Sequence, residues 1–301
     1  MDYRGQTLKG DDLRGRPLMG SDFTGATLVD VNLQRVDLSR TRFDEAQLHR
    51  VDLRGANLSN ARFDRADLSG ALVTGVHAQW ASFRLADLSG LDLGRADFSD
   101  ADLEHANLNS ATLVAIDLSR AQLSRAQIEG AAFRDAKAKE AVFAGASLKA
   151  TTFDDVDLNG SDFRGATIPS TRWQGVWLSD AKFNGVSFAE CGFNFVQGSD
   201  ADFSDCELSN CSDADQDDIS IELFDAKFDR ATLRGLYWPR ARLSGSSFVG
   251  ASLEGVYLEG AELERANFTD AKLRHVVLKN ARLREAQFDA TAPTLRGEEA
   301  A

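Results

Sequence analysis

The sequence predicts an all-β protein, a solenoid whose coils have four sides. Three observations carry this. The chain divides without a gap into fives from Met1. The central residue of each five is almost always large and apolar. Phenylalanines at that central position recur every 20 residues, as Phe23, Phe43, Phe63 and Phe83, and again as Phe143, Phe163, Phe183 and Phe203.

Between residues 1 and 290 there are 58 pentads, and in 53 the third residue is Leu, Phe, Ile, Val, Trp or Tyr. Ala78, Ala138, Gly198, Asp213 and Asp218 are the departures. The first residue is Ala in 30 pentads and otherwise mostly small. A period of five matches neither an α-helix nor a strand. It matches a short extended piece followed by a corner. In an extended piece, residues one and three point the same way and residue two points oppositely. The Ala and the Leu or Phe therefore face inward, and the Asp or Asn between them faces out. Residues four and five turn the corner, where Gly tolerates positive φ.

Recurrence at 20 means four pentads per coil and a square cross-section. Coils separated by about 4.8 Å bring successive rings into offset stacking range. About 14 coils would make a rod of roughly 70 Å. After Phe203 the column resumes as Phe228, Phe248, Phe268 and Phe288, so one step is 25 residues. Five residues must leave the coil. The expected place is a surface loop within CSDADQDDIS, 211–220, where two inward aspartates would otherwise enter a dry core at high cost. Gln6, Asp11 and Arg16 fill the usually small first position and predict a polar N-terminal cap. Residues 291–301 are expected to be a disordered tail after a single domain over 1–290.

Pentads such as ADLSG at 66–70 and 86–90, ANLNS at 106–110 and ANFTD at 266–270 resemble the pentapeptide-repeat family, whose pattern is A(D/N)LXX. The resemblance spans essentially 1–290. It implies a right-handed quadrilateral β-helix. It does not imply one function, because function lives in sites placed on a fold. Some family members are DNA mimics that bind bacterial type II topoisomerases such as gyrase and protect them from inhibitors. Others are linked to secretion, host manipulation or differentiation. The topoisomerase-protecting members are shorter, and many dimerise through a helical C-terminal cap. The ending TAPTLRGEEAA is too short and polar for such a helix.

Composition narrows the function classes. A net charge of −13 argues against direct nucleic-acid binding, which needs a basic footprint. No stretch approaches the roughly 20 apolar residues of a membrane span. The N-terminal MDYRGQTLKGDD has no signal-like apolar region, and three cysteines give no disulfide framework. A cytoplasmic protein is expected. His49, His77, His105 and His275 fall on separated coils at outward or corner positions, and no nucleophile, phosphate-loop or metal-ligand motif is present. The sequence thus predicts no enzyme and no cofactor. Cys191, Cys206 and Cys211 take the small inward position. They read as buried stand-ins for Ala, although the 20-residue spacing of Cys191 and Cys211 also allows a disulfide.

The function expected is a protein-interaction scaffold, with topoisomerase binding as the alternative. Residues 196–230 hold eleven acids against Lys227 and Arg230, a net of −9. Asp213, Asp215, Asp217, Asp218 and Glu222 are candidates to dock a basic partner. The alternation at 213, 215 and 217 would also suit a cation, but the Gly and closing Glu of an EF-hand loop are missing. A merely solvated loop is the third option. Trp80 at a corner and Trp177, Tyr237 and Tyr257 at outward second positions are candidate hot spots, with Phe195 and Phe224 flanking the acidic segment. The exposed end of the C-terminal coil is a candidate homodimer surface.

Overall fold

The computed structural model describes residues 1–211 and 220–289. They form two compact units, Met1–Thr151 and the described residues from Thr152 onward. Each unit is a β-solenoid of short parallel bridges. In the first, Thr27–Val29 pairs in register with Thr7–Lys9 on one side and Gln47–His49 on the other, at an offset of 20. In the second, Arg172–Gln174 lies between Thr152–Asp154 and Gly192–Asn194 at the same offset.

First and third residues build the core. Phe23, Ala26, Leu28, Phe63 and Leu68 are fully buried, as are Phe163, Phe183 and Leu253. The rings stack coil upon coil. Centroids are 4.7 Å apart from Phe23 to Phe43, 4.8 Å to Phe63 and 4.7 Å to Phe83. Where the inward small residue is a hydroxyl, it bonds a carbonyl: Thr41 Oγ1 donates to Leu38 O at 2.5 Å and Ser161 Oγ to Leu158 O at 2.6 Å. Trp173 is core, its Nε1 donating to Thr171 Oγ1 at 2.8 Å. Trp238 is also core, with its Nε1 buried and unpartnered. Gly198, at a central position, is required by close approach: a Cβ there would lie 2.9 Å from the Leu178 carbonyl carbon.

The backbone's polar groups can be followed round one pentad. The second-position N–H reaches back a coil, as Asp22 N to Met1 O at 2.9 Å. The third and fifth reach forward, as Phe23 N to Arg42 O at 2.7 Å and Gly25 N to Asp44 O at 2.8 Å. The first-position N–H closes the corner behind it, as Ala26 N to Phe23 O at 2.9 Å. The fourth is taken by the second-position side chain wherever that residue is Asp or Asn. Thr24 N donates to Asp22 Oδ1 at 2.9 Å, Ser99 N to Asp97 Oδ1 at 3.0 Å and Thr269 N to Asn267 Oδ1 at 3.0 Å. This is why Asp and Asn hold the second position: a short acceptor is needed two residues before an otherwise orphaned donor.

Every described fifth residue except Ser220 has positive φ, from Gly5 through Arg50 and Trp80 to Glu285. None of them is Val, Ile or Thr, whose branching makes that backbone costly. Arginines at these corners tie coils together. Arg50 grips Asp30 with two bonds of 2.8 Å, and Arg120 grips Asp100 at 2.8 and 2.6 Å.

The 25-residue step is seen directly in the register. Ser187–Ala189 pairs Glu207–Ser209 at an offset of 20, but Glu207–Ser209 pairs Thr232–Arg234 at 25. Val196–Ser199 likewise pairs Ile221–Phe224 at 25. Phe203 and Phe228 remain stacked, 5.1 Å apart. The flanking residues thus resume their columns with five extra residues between them. Of the segment 211–220 expected to hold the loop, residues 212–219 lie outside the described residues, as does the expected tail 291–301. At the N-terminal end, Gln6, Asp11 and Arg16 are exposed, matching the polar cap.

Candidate interaction surface

The second-position column of one face in the second unit runs Asp157, Trp177, Gln197, Glu222, Arg242, Glu262 and Arg282, bridged coil to coil. Around this column Trp177, Gln197, Gly198, Ser199, Glu222 and Phe224 line a shallow hollow of about 240 Å³. Trp177 is 43% exposed. The Arg242 guanidinium sits 4.8 Å from the Phe224 ring centre, a cation–π contact, and reaches Glu222 at 3.1 Å. Arg242 is also held by Glu262, whose hydrogen bond is the main cause that raises its pKa. The result is an apolar floor with a fixed ionic edge. Among the described residues no group of three His, Cys, Asp or Glu could hold a metal ion.

The structure brings Trp177 and Glu222 together. Tyr237 and Tyr257 form their own stacked pair, 4.8 Å between centroids, both half-buried. The Tyr257 hydroxyl donates to Glu259, which raises its pKa. Trp80 is in the first unit and 63% exposed, as is much of Leu85 at the next corner in sequence. Asp213, Asp215, Asp217 and Asp218 lie outside the described residues. The sequence marks Phe224 as an aromatic flanking the acidic segment and Gly198 as a departure from the central pattern, but it places neither beside Trp177, and it does not mark Gln197. The usable signal was there: carrying the 25-residue step of the Phe column over to the second positions puts 177, 197, 222 and 242 in one file.

Many carboxylates are already engaged by the fold. Arg54 pairs Asp52 and Arg164 pairs Asp162 within a pentad, both through bonds that lower the acid's pKa. Asp205 is held by Arg230 of the next coil at 2.7 Å, which lowers its pKa. A second hollow, of about 470 Å³ in the first unit, is lined by Arg42, Arg62, Arg65 and Arg84 with Asp44, Glu45 and Asp64. There Asp44 is pinned between Arg42 and Arg62.

A repeating small–polar–apolar pentad, corners of positive φ and parallel stacking at 20 residues together define a four-sided parallel β-solenoid. Family models for the pentapeptide repeat region match residues 86–163, and those for pentapeptide repeats match 21–60, 61–100, 226–265 and 261–291. The chain belongs to the pentapeptide-repeat family. Its sequence is similar to several solved structures. HetL, a pentapeptide-repeat protein involved in heterocyst differentiation regulation in the cyanobacterium Nostoc, is 23% identical over 95% of this chain and 88% of its own, with a TM-score of 0.22. QnrB1, a plasmid-mediated fluoroquinolone resistance protein, is 19% identical over 76% of this chain and 92% of its own, TM-score 0.23. A thylakoid-lumen pentapeptide-repeat protein of Arabidopsis thaliana is 28% identical over 44% and 69%, TM-score 0.15. No curated protein matches the sequence significantly.

Proposed function

We propose that this protein is a non-enzymatic scaffold that docks a protein partner on the second unit, at the hollow around Trp177, Phe224 and Glu222. The observation that carries the reading is Trp177 itself. Where an outward second position holds Asp or Asn, its side chain accepts the fourth-position N–H. Here that position holds an exposed indole beside a second aromatic ring, and in this pentad the Ser179 N–H is satisfied instead by Asn159 Oδ1 of the previous coil, at 2.7 Å. Exposed aromatics with a charged rim are common anchors of binding. The ionic edge of Glu222 and Arg242 would set the orientation of a partner. No helix among the described residues is long and apolar enough to cross a membrane.

The test is affinity capture with quantitative cross-linking, comparing the intact protein with Trp177→Ala and Glu222→Lys. Loss of a hot spot of about 2 kcal/mol weakens binding roughly 30-fold. An unchanged set of partners for both variants sinks the proposal. The alternative, a topoisomerase-binding DNA mimic, would need free carboxylates in file, and the pairing at Asp30, Asp52, Asp100, Asp162 and Asp205 weighs against it. Protection of gyrase supercoiling in the presence of a quinolone would revive it.

A second copy of the chain is proposed at the C-terminal coil. Leu273, Leu278, Leu283 and Phe288 are half-buried, whereas Leu253, Leu258, Leu263 and Phe268 one coil earlier are buried. Light scattering after size exclusion should give a dimer mass at tens of micromolar; a monomer mass throughout would remove the proposal.

A further inference from the structure

Cys191 and Cys211 take the same inward position on two successive coils of the second unit. Each follows by two residues a strand pair in register, Ala189 with Ser209. Each thiol donates to a carbonyl 23 residues earlier, Cys191 to Ile168 O and Cys211 to Phe188 O, both at 3.1 Å. The two settings are thus copies shifted by one coil. Stacked strands are about 4.8 Å apart, inside the Cα separation of roughly 4.4–6.8 Å that a disulfide spans. Parallel, in-register positions also point their Cβ atoms the same way, about 4.8 Å apart, so closure has to draw the two Cβ atoms together by a few tenths of an ångström.

Both cysteines are free and fully buried. Below them in the same column Thr171 Oγ1 lies 3.1 Å from the Cys191 sulfur. The Cys211 thiol and then the Thr171 hydroxyl stabilise a Cys191 thiolate, and its pKa falls to about 7 although burial opposes this. Cys211 is pushed the other way by the same neighbour and by burial. Cys206 stands on the neighbouring face with no cysteine one coil away. Burial pushes it up to about 12, so it serves as an internal control.

We infer that Cys191 and Cys211 are a modification site, a thiol pair that closes to a disulfide when a thiol oxidant reaches it. With the azo compound diamide as oxidant, the Cys191 thiolate adds to one nitrogen and forms an S–N bond, while the other nitrogen takes up a proton. Cys211 loses its proton and attacks the Cys191 sulfur. The S–S bond forms and the S–N bond breaks. Two thiols are oxidised, and the azo bond is reduced to a hydrazine that carries both protons. The link would staple successive coils immediately before the register changes from 20 to 25, so the resistance of this region to unfolding would depend on redox state. This inference is independent of the partner proposed above.

The experiment uses the full chain under native conditions. It is treated with diamide, quenched, unfolded, and its free thiols are counted and its mass measured. The expected result is one free thiol, on Cys206, with a mass loss of two hydrogen atoms and a higher urea midpoint that dithiothreitol reverses. Cys206→Ser should form the link as the intact chain does. Cys191→Ser and Cys211→Ser, which keep a hydroxyl donor at the site, should retain both remaining thiols and show no midpoint change on oxidation. Three free thiols in the intact chain, a link that involves Cys206, or a link between chains only would each overturn the inference.

Discussion

At the scale of single residues, the fifth position is the most demanding place in the pentad. Its φ is left-handed, which costs an ordinary L-residue roughly 1–2 kcal/mol and a β-branched one more. Gly75 isolates this effect, because it has φ +68° and a Cβ there would meet nothing within 4 Å. Gly75→Val should lower stability by about 2 kcal/mol, while Gly75→Asn should stay within about 1 kcal/mol of the parent. Urea unfolding of the two variants checks this; equal losses would show that bulk rather than backbone conformation sets the choice. The second position was less legible. Its outward direction followed from alternation. Its capping of the fourth-position N–H did not, because an acceptor pointing at a donor two residues on depends on the corner's three-dimensional path. Trp177 illustrates the gap: sequence marked it as unusual, but not that Asn159 of the coil before replaces the missing acceptor.

At the scale of the coil, stability comes from repeated faces. Phe63 lies between Phe43 at 4.8 Å and Phe83 at 4.7 Å, all three fully or almost fully buried. Phe63→Ala would open a cavity in the column and remove two stacking partners. We expect a loss of about 3–5 kcal/mol, with Phe63→Leu, which retains most of the volume, losing much less. Thermal or urea unfolding measures both, and similar losses for the two would contradict the packing argument. The coil length, the column and the place of the register change were all readable, because one inward residue type repeats at a fixed interval. Which outward residues share a hollow was harder, since Phe224 and Trp177 are 47 positions apart and meet only after the 25-residue step is applied to every column.

At the scale of the whole molecule, its many carboxylates make stability depend on acid. Asp2 and Asp12 are held down to about 2 by hydrogen bonds from Arg4 and Arg14, against an ordinary 3.8. Asp37 is lowered by the Ser39 hydroxyl and amide, and Asp100 by Arg120. A carboxyl with a depressed folded-state pKa binds its proton more readily when unfolded. Its contribution is therefore complete above the unfolded value and is lost as pH falls through the folded one. Unfolding midpoints should stay level from neutral pH to about 4.5 and drop between about 4 and 2. Below the isoelectric point near 4.8 the growing net positive charge adds to this fall, so a midpoint that rises in that window would contradict the assignment of acid sensitivity to these carboxylates.

The register change has a further meaning for how such a chain can vary. Side chains point inward or outward according to their place within a five, so a gain or loss of one to four residues kept within the coil would put later residues on the wrong side of the wall. A gain of five leaves every later residue facing as before, and Phe228 lies on Phe203 as if nothing intervened. Length in this protein is therefore quantised, and viable insertions and deletions form a ladder whose rungs are whole pentads, much as a reading frame admits only whole codons.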